Sequence, residues 1–297
     1  MGKNRYNFPF LKIEFQATDA FLIVVLFLYT LLIILFNFRV KGWVSLAITN
    51  LVIVAIYSTS VYFQIKISSP IWKFLLRMFS VSFLLIYIFD LSVRLSLILF
   101  DNWNDQVIID LEQHVFGVQP TIWIQKWISP LLTEWFMLCF LFYLPLYPIL
   151  GAFLYFKCGE NQMEDFLFTV SINNVICNIG YFLYPVANPL TYLDSHYSVP
   201  LQGYIFTSIQ DLMRTELLSS GGAMPSGHAA ASTIILLMSY RYYRPLFYFL
   251  IPIVTSIYIS LVYGRFHYLS DVIVGILIAL LCWWTIPYLK KKLGLDE

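Results

Sequence analysis

Residues Ala20–Phe38, AFLIVVLFLYTLLIILFNF, run for nineteen positions without a charged side chain. At about 1.5 Å of rise per residue such a helix is about 28 Å long, close to the ~30 Å hydrocarbon core of a bilayer. The run is too long for the apolar part of a signal peptide, and no small-residue cleavage site follows it. It is therefore expected to stay in place as a transmembrane helix. Seven more stretches read the same way: 43–63, 75–100, 132–156, 165–187, 227–240, 245–263 and 271–289. The sixth is the weakest in hydropathy because Ser226–Ser232 is small and polar, as in a helix that faces its neighbours rather than lipid.

The composition agrees. Of 297 residues, 60% are hydrophobic and 12% charged, about half the ~25% charge of soluble domains. A net charge of +1 with no basic block gives no reason to expect nucleic acid as a partner. Cys139, Cys158, Cys177 and Cys282 lack metal-ligand or CxxC spacing and read as small buried hydrophobes. The expected class is all-α, a polytopic membrane helix bundle of about eight spans.

Two connections are long. Residues 101–130 are acidic first and amphipathic later, with Trp103, Trp123 and Trp127 spaced as in a segment lying at headgroup level. The second connection, 188–223, carries Asp194, His196, Asp211, Arg214 and Glu216. Loops of this length in a compact membrane protein are usually functional or partly helical. Lysine and arginine near both chain ends put both termini in the cytoplasm, which requires an even number of spans. Eight spans leave eleven of the eighteen cations inside and five outside, with Arg77 and Arg94 within a span. This arrangement sets His228 and His267 on one extracytoplasmic face.

The chemistry concentrates there. Pro225-Ser226-Gly227-His228 opens the sixth span, and His267-Tyr268-Leu269-Ser270-Asp271 opens the eighth. A helix starting near His267 would put Asp271, four residues on, on the same face. Its carboxylate can then fix the imidazole tautomer and leave the other nitrogen as a lone-pair nucleophile. Ser226 can cap the sixth helix, and Gly227 lets backbone amides approach an anion at the helix N-terminus. Two histidines at one mouth can divide the work, one attacking phosphorus and the other protonating the departing alkoxide.

These residues resemble the type 2 phosphatidic acid phosphatase and haloperoxidase superfamily. Its second motif, PSGH, stands intact at Pro225–His228. Its third, Ser-Arg, five residues, His, three residues, Asp, is matched by Ser260, His267 and Asp271, with Gly275 following. The resemblance covers roughly 75–290. It implies a six-helix core and a metal-independent phosphohistidine mechanism without cofactor. In it His267 is the nucleophile, Asp271 its orienting partner and His228 the acid. Leu261 replaces the third-motif Arg. The first motif, Lys, six residues, Arg-Pro, is replaced by Tyr181 and Asn188-Pro189. A phosphodiester needs fewer cations than a monoester. Members lacking the first motif resemble inositol phosphorylceramide and sphingomyelin synthases, and Asp110–Thr121 also looks like a segment of that branch.

The resulting expectation is two N-terminal helices (1–74) ahead of a phosphatase or phosphotransferase core (75–297) containing the interfacial segment 101–130. The catalytic set is His228, His267 and Asp271. Ser226, Gly227, Arg265, Arg214 and Asn188 are the expected substrate-binding residues, and no metal ligand is expected. The partners are the membrane and a lipid phosphate ester, cleaved at the extracytoplasmic face, that of the plasma (inner) membrane in a bacterium. The alternatives are transfer of a phospho-head-group to an alcohol, and a non-catalytic transporter or scaffold. The sequence leaves the lipid, the acceptor and the oligomeric state open.

Overall fold

The structure, a computed structural model, describes residues 5–8, 13–217 and 221–295, with side chains described for 15–213 and 221–295. A two-stranded antiparallel hairpin, β1 (Arg5–Phe8) and β2 (Ile13–Gln16), precedes the helices, a small addition to an otherwise all-α fold. The helices are α1 (Ala17–Leu35), α2 (Trp43–Lys66), α3 (Pro70–Arg94), α4 (Asp105–Phe116), α5 (Pro120–Trp123), α6 (Pro130–Phe153), α7 (Glu160–Leu183), α8 (Pro189–Tyr192), α9 (Ile205–Leu217), α10 (Gly227–Tyr242), α11 (Arg244–Tyr263) and α12 (Leu269–Leu293). Seven of them are long and apolar enough to cross a bilayer: α1, α2, α3, α6, α7, α11 and α12. The chain is an integral membrane helix bundle. α10, the weak sixth stretch of the sequence, is a 16-residue helix. The third span begins at Pro70, five residues before the apolar run, because proline is suited to the first helical turn.

The chain forms two compact units. The first comprises Met1–Leu91, Pro148–Val175 and Cys282–Glu297. Its helices present apolar side chains outward, such as Phe27, Leu28 and Leu31 on α1, as lipid-facing helices do. Inside it, Arg77 of α3 is buried and gripped from both sides. Its Nε and Nη2 donate to the two carboxylate oxygens of Glu164 at 2.7 Å each, and Nη1 donates to Asp19. Tyr57 adds a hydrogen bond to Asp19 at 2.6 Å. A cation inside an apolar bundle persists only when paired and hydrogen-bonded in this way.

The second unit comprises Ser92–Tyr147 and Ile176–Leu281. α10 is packed all round: Ala229 through Ile235 are each at most 5% exposed. Such enclosure explains its weak hydropathy, since a helix surrounded by protein need not repel water on any face. The long connection after α7 folds back over the unit. Glu134 of α6 accepts from the amides of Tyr204, Phe206 and Thr207 and so caps the start of α9.

Candidate active site

Both motif histidines lie within the second unit. Ser226 is the N-cap of α10, its hydroxyl accepting the amide of Ala229 at 3.3 Å, and His228 occupies the helix's first turn. Its ring is walled by aromatics, with Tyr143 at 4.7 Å and Phe140 at 5.1 Å between centroids. Phe266 stacks on Phe140 at 4.0 Å. His267 sits in the turn between α11 and α12, where the backbone N–H groups of Phe266 and His267 both return to the carbonyl of Leu261. The structure brings the two rings together. Nε2 of His267 stands 3.4 Å from Nδ1 of His228.

The tautomer follows from the other side of the ring. Nδ1 of His267 lies 2.9 Å from the carbonyl oxygen of Ala223. A carbonyl only accepts, so Nδ1 carries the proton and Nε2 keeps its lone pair. Burial lowers the pKa of His267 from 6.5 to about 4, with the Ala223 contact acting in the opposite sense. The ring is therefore neutral at physiological pH.

Asp271 is placed differently from the expected orienting hydrogen bond. Its Oδ2 is 3.6 Å from Nδ1 of His267, ion-pair distance but beyond hydrogen-bond range, and it accepts the amide of Tyr268 at 2.8 Å. The reason is helix register. α12 begins at Leu269, two residues later than the shared face requires, so Asp271 sits in the first turn and closes the helix end. Its Oδ1 is buried without a protein partner.

The expected binding residues divide. Gly227 lies beside Tyr181, whose hydroxyl would be 2.8 Å from a Cβ at that position. Asn188 caps the short α8, accepting from the amide and hydroxyl of Thr191 at 2.9 and 2.8 Å. Arg265 has a positive φ of 63° and is 7% exposed. Its guanidinium lies 3.9 Å over the ring of Tyr197 and donates to the carbonyl of Val199, while Nε is buried without a protein partner. Arg214 lies outside the residues whose side chains are described. Leu261, at the place of the third-motif Arg, is fully buried among Ala229, Val262 and Val272.

The interfacial segment supplies residues that the motifs did not indicate. Asp105 of α4 accepts the amide of Ala187 at 2.7 Å and the hydroxyl of Tyr268 at 2.8 Å. Glu112, two turns on, accepts the amide and hydroxyl of Ser270 at 2.7 and 2.6 Å and the side-chain amide of Gln119 at 2.6 Å. The signal for them was present in Asp105 and Glu112, seven residues apart and so on one helix face. Nothing in the sequence said what that face met. Among the described residues no group of three His, Cys, Asp or Glu side chains is placed to hold a metal ion.

Close approach of α12 to the start of α10 fixes the motif geometry. A Cβ on Gly275 would stand 2.4 Å from the carbonyl oxygen of Ser226. Gly275→Ala is therefore expected to push the Ser226 backbone away, costing about 1–3 kcal/mol and displacing His228. A thermal melt in detergent together with a turnover assay checks this. Unchanged values in both would show that the helices can part freely.

A bundle of long apolar helices in which a buried imidazole, its tautomer set by a carbonyl, faces a half-buried one defines an integral membrane protein with a paired-histidine site. The family comparison gives the rest. The chain matches the PAP2 superfamily over residues 106–285, more than half its length, and belongs to it. No curated protein and no solved structure matched the chain.

Proposed function

We propose that the protein is a lipid phosphatase that cleaves a lipid phosphate ester through a phosphohistidine on His267, at the extracytoplasmic face of the membrane. The observation that carries this reading is the 3.4 Å approach of Nε2 of His267 to Nδ1 of His228. The Nε2 lone pair attacks phosphorus, the P–O bond to the leaving alkoxide breaks, and His228 donates the proton that the alkoxide takes up. His228 must carry that proton beforehand, and an anionic substrate beside it favours the charge. His267 keeps its Nδ1 proton, so phosphorylation leaves its ring cationic, and the nearby Asp271 carboxylate favours that charge. Water, deprotonated by His228, then releases phosphate. The resting rings nearly touch, so the substrate must part them.

Eight crossings fit this orientation. α10 spans about 24 Å, but α11 follows it after the single residue Tyr243 and returns to its start, where Leu261 and Val262 pack against Ala229. The two helices thus cover the same thickness. Residues 1–74 then stand as an addition to a six-helix core over 75–297. In a bacterium the membrane would be the plasma (inner) membrane. Ser226, Gly227, Arg265, Arg214 and Asn188 remain our assignment for the phosphate-binding set, the orphaned Nε of Arg265 being a donor still available to a ligand oxygen.

A second reading, transfer of a phospho-head-group to an alcohol, is favoured by the apolar setting of Leu261 and by the neutral phenol of Tyr181 beside Gly227. A site with few cations suits a monoanionic phosphodiester better than a dianionic monoester. The test uses purified protein in mixed micelles with short-chain phosphatidic acid or phosphatidylglycerol, each with and without diacylglycerol. Phosphate released from phosphatidic acid without acceptor is the expected result. Product formed only from the diester and only with the alcohol would replace it by the second reading. No turnover of either lipid would overturn both.

A further inference from the structure

α4 is turned inside out. Its buried face consists of Asp105, Ile108 and Glu112, while Val107, Leu111 and Val115 are about half exposed. An amphipathic helix at the headgroup level turns its apolar side to lipid, which accounts for the outward valines and leucine. It does not account for two fully buried carboxylates facing inward with no cation bonded to either among the described residues.

Burying an ionised carboxylate without a counter-charge costs several kcal/mol, and burial indeed raises the pKa of both Asp105 and Glu112. One oxygen of each goes to a narrow target, while the other accepts from Ala187 in the case of Asp105 and from Gln119 in the case of Glu112. Asp105 holds the hydroxyl of Tyr268, and Glu112 holds the amide and hydroxyl of Ser270. These are the first and third residues after His267. Asp271 holds the amide of Tyr268 from within the same stretch. Three carboxylates therefore grip the five residues His267–Asp271, two of them from a helix more than 150 residues away in the chain.

We infer that Asp105 and Glu112 are positioning residues for His267. They pin Tyr268 and Ser270, so that the imidazole cannot swing off the Ala223 carbonyl and Nε2 stays aimed at His228. The inference rests on the phosphohistidine reading above. Neither residue touches the substrate.

The test uses isosteric changes in the full-length protein, Asp105→Asn and Glu112→Gln, together with Tyr268→Phe and Ser270→Ala on the receiving side. The substrate is whichever of the two micellar lipids turns over. Each variant is expected to lower kcat by about 10- to 100-fold, as a nucleophile displaced by about 1 Å would, with KM within about 3-fold of the parent. The double variant Glu112→Gln/Ser270→Ala should be no slower than its slower single parent, because the hydroxyl bond that Ser270→Ala removes is one of those that Glu112 itself accepts. Tyr268→Phe removes only a hydroxyl, so it reports on the clamp even if the acid variants do not fold. Parental kcat in Tyr268→Phe and the acid variants, or losses that multiply in the double variant, would overturn the inference. His267→Ala in the same preparations separates the two claims. If it is dead while the α4 variants run at full rate, only the clamp fails. If it is active, the phosphohistidine reading itself is wrong.

Discussion

His267→Ala should lower turnover by about 10⁴-fold or more, because in the proposed mechanism it removes the atom that bonds to phosphorus. His228→Ala should cost about 10²–10⁴-fold, the usual worth of a positioned acid. The two variants differ in a second observable. Without His228 the first bond still forms on His267, so an acid-labile, base-stable phosphoenzyme can be trapped from labelled substrate; without His267 none can. The acidic limb of kcat/KM offers an independent check. A folded pKa lowered to about 4 keeps His267 neutral above that value, so the limb on which the nucleophile is lost by protonation should lie near pH 4. A limb at 6.5 would mean that the nucleophile is a solvated imidazole, at odds with a ring buried against Ala223.

Arg77→Met should cost about 3–5 kcal/mol, the penalty for breaking a buried pair from one side. The substitution leaves Asp19 and Glu164 facing each other in the first unit without the guanidinium that bonds to both. The melting temperature in detergent should drop on the order of 10 °C. Tyr57→Phe, which removes a single donor to Asp19, should cost only about 1 kcal/mol. A melt that moves by less than about 2 °C for Arg77→Met would show that the two carboxyls do not need their cation.

Some of this was legible in the chain as written. The apolar runs carried the all-α membrane class, since spanning lipid forces every backbone polar group into a helix and every helix to show its length in hydropathy. The motif spacing marked His228, His267 and Asp271, because residues near a helix start keep local relations that sequence distance encodes. Ser226 as a cap was legible for the same reason. Local reasoning failed where a partner is remote. It left Arg77 as a cation within a span, while the buried ion cluster joins that residue to partners 58 and 87 positions away. It gave Asp271 the role of holding His267 and overlooked Ala223, since a backbone carbonyl has no signature in a residue type. α12 begins at Leu269, two residues after His267, and there the carboxylate accepts the Tyr268 amide and stands 3.6 Å from the ring.

The sequence by itself determined that this chain lives in a membrane and which imidazoles stand in the family motifs, because hydropathy and short motifs are one-dimensional properties. Only the tertiary structure decided that the two rings meet, which nitrogen carries the proton, and that α4 turns its acids toward the His267 turn. Those are facts of packing between residues 39 to 163 positions apart, and only side-chain and backbone contacts in the folded chain set them.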